Sequence, residues 1–166
     1  MNNNKKAKTV IQVLDLIKKE KNTIAALMVK KYALESRVYS LPSINPAQPV
    51  SINAVSDHDA IMLKKSEMLT EIEKIDNEIK TREKLINQSR CIFNDSDITY
   101  RVLLIDIYLF GTSIQKEAEK YNLNNRTLSN SLYSEIENIV DKNNEWKKLV
   151  DIIETLGDDK YTRLIS

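Results

Sequence analysis

Residues 97–140 read DITYRVLLIDIYLFGTSIQKEAEKYNLNNRTLSNSLYSEIENIV, and the punctuation of this stretch decides the fold. It follows a cluster of helix-capping types, Asn94-Asp95-Ser96-Asp97, and Ile98–Phe110 is a strongly apolar helix pattern. Gly111 is placed to end that helix in the left-handed region. Thr112 is expected to start a second, short helix with Gln115 completing a capping box, and with Ile114, Ala118 and Tyr121 facing inward. Asn122-Leu123-Asn124 then makes a turn, with Leu123 buried at its corner. Asn124 is expected to cap a third helix that turns Leu128, Leu132, Ile136 and Ile139 to the core. A small residue at Ala118 lets the two helices cross closely. Small residue, turn and cap in this register are what a helix-turn-helix requires.

Working outward, composition agrees with a helical chain. There are two glycines and three prolines (Pro42, Pro46, Pro49), while charged residues make up 30% and apolar residues 42%. So few breakers favour long helices over many short strands, and the expected class is all-α. The lone cysteine, Cys91, has no partner for an internal disulfide and points to a reducing compartment. With one histidine, His58, and one cysteine, no zinc site and no other cofactor is expected. No apolar run approaches the roughly 18–20 residues of a membrane span, so a cytoplasmic protein without membrane contact is expected.

The N-terminal part carries two long seams. Val10, Val13, Ile17, Ile24, Leu27, Leu34, Val38 and Leu41 alternate three and four apart, with Glu20 and Lys31 as polar interruptions. That predicts a single helix of about 35 residues, about 50 Å long. The proline-bearing segment 40–56 is an extended linker. A second helix is expected from Ser56, with Asp59 in capping-box position, and its seam runs through Ile61, Met68, Ile72, Ile75, Ile79 and Ile86, with Lys65 and Arg82 as exceptions. The two helices should fold back as an antiparallel hairpin over residues 1–92, and their narrow apolar stripes predict a homodimer. Residues 95–166 form the second expected domain. It ends in a helix carrying Trp146, Leu149, Val150, Ile153 and Leu156 and closed by Gly157, after which the chain is expected to fray.

Charge is unevenly spread. Residues 1–94 hold sixteen Lys/Arg against eleven Asp/Glu (+5), and residues 95–166 hold nine against thirteen (−4). The carboxylates between Glu67 and Glu83 alternate with lysines and arginines away from the seam, as a solvated, ion-paired surface does. There is no phosphate-binding glycine loop, no His/Cys pair and no Ser–His arrangement, so a non-enzymatic chain is expected.

The stretch Tyr108–Leu132, YLFGTSIQKEAEKYNLNNRTLSNSL, resembles region 4 of bacterial sigma factors: a tyrosine-bearing helix, a glycine, an alanine in the short helix, an aliphatic corner and a cap. The order of a helical hairpin, a loop and then this module resembles phage transcriptional regulators of the ArpU/RinA type. The specific motif covers residues 97–140; the hairpin is similar in architecture only. The resemblance implies activation of late phage genes in a host bacterial cell, with double-stranded DNA as partner and RNA polymerase as a second candidate. Two positions depart from the sigma pattern. Glu117 stands where an isoleucine usually sits, and Asn124 replaces a serine cap, which it matches as a capping residue.

By the 100° step of a helix, inward Leu128, Leu132 and Ile136 turn Arg126, Thr127, Asn130, Tyr133, Ser134 and Glu137 outward. Arg126 is suited to a guanine and Asn130 to an adenine in the major groove, with Thr127, Tyr133 and Ser134 beside them. Lys116, Lys120 and Asn125 lie near helix starts, where phosphate contacts belong. Two other classes fit the pattern: a protein-binding module that docks on RNA polymerase or inhibits a host protein, motivated by the −4 balance, and a small-terminase-like packaging adaptor.

Overall fold

The computed structural model describes residues 3–41, 52–142 and 144–166, without side-chain detail at 3–5, 52–57, 141 and 142. The chain is all-α. Its helices are α1 (Asn3–Ile17), α2 (Glu20–Ser40), α3 (Ile52–Cys91), α4 (Ile98–Tyr108), α5 (Ile114–Lys120), α6 (Asn125–Lys142), α7 (Asn144–Leu156) and α8 (Asp159–Ile165). No helix among the described residues is long and apolar enough to cross a membrane. The linker expected over 40–56 falls mostly outside the described residues. Where α3 is described it is already helical from Ile52, so Ser56 lies inside the helix rather than at its cap.

The first expected helix is two helices. Lys18 still bonds back to Leu14 O, but the Lys19 N–H reaches Leu16 O, only three residues back, at 2.9 Å, and Asn22 N–H likewise reaches Lys19 O at 3.0 Å. The ladder tightens and restarts at Glu20. Neither proline nor glycine marks this break, which is why the seam reads as continuous.

The chain divides into two compact units, one of residues 1–22 with 81–166 and one of residues 23–80. This differs from the expected boundary between 92 and 95, and the reason is burial. Ala7, Val10, Val13, Leu14 and Ile17 of α1 are all buried in one core with Leu85, Ile92 and Phe93, and with the apolar faces of α4 and α6–α8. Within this unit α6 packs on α1, α4 and α5, and α8 packs on α1 and α7. Leucines at zero exposure, such as Leu14, Leu85 and Leu132, contribute about 1.5–3 kcal/mol each relative to leaving them in water. At the α3–α4 turn, Arg101 donates to the carbonyls of Phe93, Asn94 and Ser96 and so satisfies acceptors at the end of α3. The nearby Ser96 hydroxyl is buried with no hydrogen-bond partner among the described residues.

The C-terminus does not fray as expected. Asp158 caps α8 by accepting from the Lys160 N–H at 3.0 Å, and the Tyr161 side chain is fully buried. Its phenol donates to Glu20 Oε1 at 2.7 Å, while Glu20 Oε2 lies 2.7 Å from Arg82 Nη1. Arg82 also reaches Asp158 at 3.2 Å. Glu20 and Arg82, one polar exception from each seam, are thus each other's partners.

In the unit of residues 23–80, Ile24, Leu34 and Val38 on α2 and Ile75 and Ile79 on α3 are buried. Lys31 bonds Asp76 and Lys30 bonds Glu71, both at 2.7 Å, so ion pairs join α2 to α3 within this unit. Lys31, which interrupts the seam in sequence, has its carboxylate partner directly across. The hydrogen bond to Asp76, followed by the Asp76 and Glu35 charges, holds the Lys31 ammonium above the usual lysine range, against the opposing effect of desolvation.

Candidate nucleic-acid interface

The interface expected from sequence is built on α5, the following turn and α6. Gly111 takes φ +77°, as the sequence requires, and the Thr112 N–H closes the end of α4 onto Asp106 O. The cap of α5 is Ser113, one residue later than expected. Its Oγ accepts from Lys116 N at 3.3 Å, and Gln115 bonds Glu119 instead of reaching back to the cap.

Helix α5 ends in a Schellman motif. Asn122 sits in the left-handed region at φ +53°, its N–H bonds Glu119 O, and the Leu123 N–H bonds Ala118 O at 2.8 Å. That geometry turns the Leu123 side chain outward, and it is 47% exposed rather than buried at the corner. Tyr121, expected inward, is also exposed. The inner face of α5 is instead Glu117 and Ala118, with Ile114 half-buried. Asn124 caps α6 as expected, its Oδ1 accepting from Arg126 N at 2.9 Å and Thr127 N at 3.4 Å.

Leu128, Leu132, Ile136, Ile139 and Val140 fix α6 against the core. Arg126, Thr127, Asn130 and Ser134 are exposed and fall on one arc of the opposite side. Tyr133 is a correction: it is half-buried and packed against the core, not open to solvent. Burial, then the charge of Glu137, holds its phenol above the usual range. Glu137 is half-buried as well.

Lys116, Lys120 and Asn125 are exposed. Lys120 is not a free cation, because Glu117 Oε2 lies 3.5 Å from its ammonium and the Tyr121 ring centroid lies 5.1 Å away. The Glu117 charge, followed by that of Tyr121, raises its pKa. The departure at Glu117 therefore has a local explanation. The carboxylate is on the inner face of α5 but at its rim, where Lys120 bridges it to water. No group of His, Cys, Asp and Glu able to hold a metal occurs among the described residues.

Sequence reasoning misses the part played by α1. Its seam places it in a distant hairpin, yet it is one of the helices on which α6 rests. The signal lies in Ala7, Val10, Leu14 and Ile17, whose helical spacing gives α1 an apolar face of its own. Compared with protein-family models, with curated proteins and with solved structures, the chain matches none.

Proposed function

We propose that this chain is a DNA-binding transcriptional regulator of phage or mobile-element origin, of the late-gene activator type, non-enzymatic and cytoplasmic in a bacterial host. One observation carries the reading. Arg126, Thr127, Asn130 and Ser134 share an open arc of α6 while Leu128, Leu132 and Ile136 pin the helix from behind. A helix held in this way offers donors and acceptors of the kind that read base edges in a major groove.

Charge supports the reading as well. Residues 95–166 alone are acidic, but the compact unit includes residues 1–22, and together with 81–166 these hold eighteen Lys/Arg against sixteen Asp/Glu, a net +2. The unit that would meet phosphate is thus mildly basic. Self-association is supported by apolar side chains left in solvent on residues 23–80, among them Val29, Tyr32, Tyr39 and Leu63.

The test is genome-wide capture of DNA fragments by the purified protein, followed by retention assays on the enriched sequence. Saturable binding to that sequence, lost steeply with salt, and a weakening of about 1–3 kcal/mol in Arg126→Ala are expected. Recovery of a protein and no DNA at low salt would replace this reading with the protein-docking one. A native mass of many subunits in place of a dimer would favour the packaging adaptor.

A further inference from the structure

Away from α6, the compact unit of residues 1–22 and 81–166 contains a cleft of about 210 Å³. Its floor is apolar, made by Ile17, Ile86 and Leu109, and Phe110 forms one wall. Phe110, just beyond the C-terminal end of α4, is 59% exposed. The rim is cationic. Lys21 stands 5.9 Å from the centroid of the Phe110 ring, and Arg90 and Lys18 complete the edge. Lys18 is shared with Asp15 at 2.8 Å, which leaves Lys21 and Arg90 as the principal charges. Among the described residues, no carboxylate lines the cleft.

We infer that this cleft docks an acidic peptide segment of a partner protein, which inserts one large apolar side chain between Phe110 and Leu109 and sets its carboxylates against Lys21 and Arg90. Charge complementarity selects the occupant. With Lys18 matched by Asp15, the rim keeps a positive excess at Lys21 and Arg90, which attracts a polyanion and steers its approach. The floor discriminates among polyanions. A duplex backbone presents phosphates and sugars and gains little from an apolar recess, whereas an aliphatic or aromatic side chain buried there gains about 25 cal/mol per Å² covered. An exposed aromatic beside a cation is also the kind of anchor on which binding energy concentrates at protein interfaces. This inference is independent of what α6 binds.

The experiment uses the full-length protein and a fluorescein-labelled peptide, Glu-Asp-Leu-Phe-Asp-Glu, read by anisotropy, with the Gln-Asn-Leu-Phe-Asn-Gln peptide as its neutral counterpart. Saturable binding of the acidic peptide is expected, with the neutral one bound at least about tenfold more weakly. Lys21→Glu with Arg90→Glu should weaken the acidic peptide by at least about tenfold; both residues are exposed, so the charge reversal leaves the core untouched. Phe110→Ala should weaken both peptides. Three results overturn the proposal: no saturable binding at about 1 mM peptide, equal binding of acidic and neutral peptides, or an unchanged affinity in the charge-reversed protein. A charge-reversed protein that keeps the peptide but loses affinity for duplex DNA also overturns it and assigns the rim to phosphate.

Discussion

The Arg82 guanidinium lies 2.7 Å from the Glu20 carboxylate with both side chains almost wholly buried, so the start of α2 and the C-terminal part of α3 are joined by an ion pair out of water. Each charge is offset chiefly by the other, with Asp158 a second anion for Arg82 and the Tyr161 phenol a donor to Glu20. Arg82→Ala leaves the buried Glu20 carboxylate without its cation and should cost about 3–5 kcal/mol of stability, whereas Glu20→Ala leaves Arg82 its contact with Asp158 and should cost less. The double variant removes both charges at once and should be less destabilised than the sum of the two, with a coupling of about 0.5–3 kcal/mol. Urea denaturation of the four proteins, followed by far-UV circular dichroism, checks this. Additive losses would mean that the pair does not act as a unit.

Tyr161 ties the same cluster to α8, and it makes stability depend on alkaline pH. Burial, and next the hydrogen bond it donates to Glu20, raise the pKa of its phenol far above the usual value of 10.0. The sign follows from which state keeps its proton. Above about pH 10 the unfolded chain ionises this phenol while the folded chain does not, so folding stability is full below that pH and falls as pH rises through and beyond it. Tyr108, whose phenol is also raised chiefly by burial, contributes in the same direction. Tyr161→Phe should lose about 1–3 kcal/mol at neutral pH, because Glu20 loses a donor. It should also show a shallower decline in urea midpoint between about pH 9 and about pH 11 than the parent protein. An identical decline would show that the phenol does not report on folding.

The turns at Gly111, Asn124 and Gly157 are legible in the sequence because each depends on local backbone chemistry: two left-handed glycines and an Asn cap. The outward arc of Arg126, Thr127, Asn130 and Ser134 is legible for a similar reason, since three buried positions fix the phase of a helix. Partnership is not legible. Glu20 and Arg82 interrupt their seams sixty-two positions apart, and only the fold brings them together. The break at Lys18–Lys19 has no glycine or proline to announce it, so periodicity alone joins α1 to the hairpin rather than to the core beneath α6. Helical periodicity also misplaces Leu123 and Tyr121, because the Schellman turn at Asn122 re-aims the chain in a way that no regular repeat anticipates. Tyr133 sits at the edge of the open arc, where a large ring can reach back onto the core.

Asn122 holds its left-handed backbone without being glycine. Asn tolerates this region better than other L-residues, and glycine tolerates it best. Asn122→Gly should therefore be neutral to slightly stabilising. Asn122→Val should lose about 1–2 kcal/mol, because a β-branched side chain clashes with its own backbone there. Thermal unfolding of the two variants checks the order. Equal loss in both would mean that the Asn122 side chain, not its backbone, holds the turn between α5 and α6.

Lys116 and Asn130 separate positioning from reading in the proposed complex. Lys116 is exposed on α5, and its backbone N–H already bonds the Ser113 cap, so its ammonium is placed near a helix start where phosphates bind. If it neutralises one phosphate, Lys116→Ala should weaken binding to every sequence alike and reduce the slope of log K against log salt by about 0.9. Asn130→Ala should leave that slope unchanged and relax discrimination at a single base pair by about 1–3 kcal/mol. Titrations of the captured sequence and of single-base variants across a range of salt concentrations distinguish the two effects. A slope that changes in Asn130→Ala and not in Lys116→Ala would mean that α6 meets the phosphates and α5 does not, the reverse of a recognition helix seated in the groove.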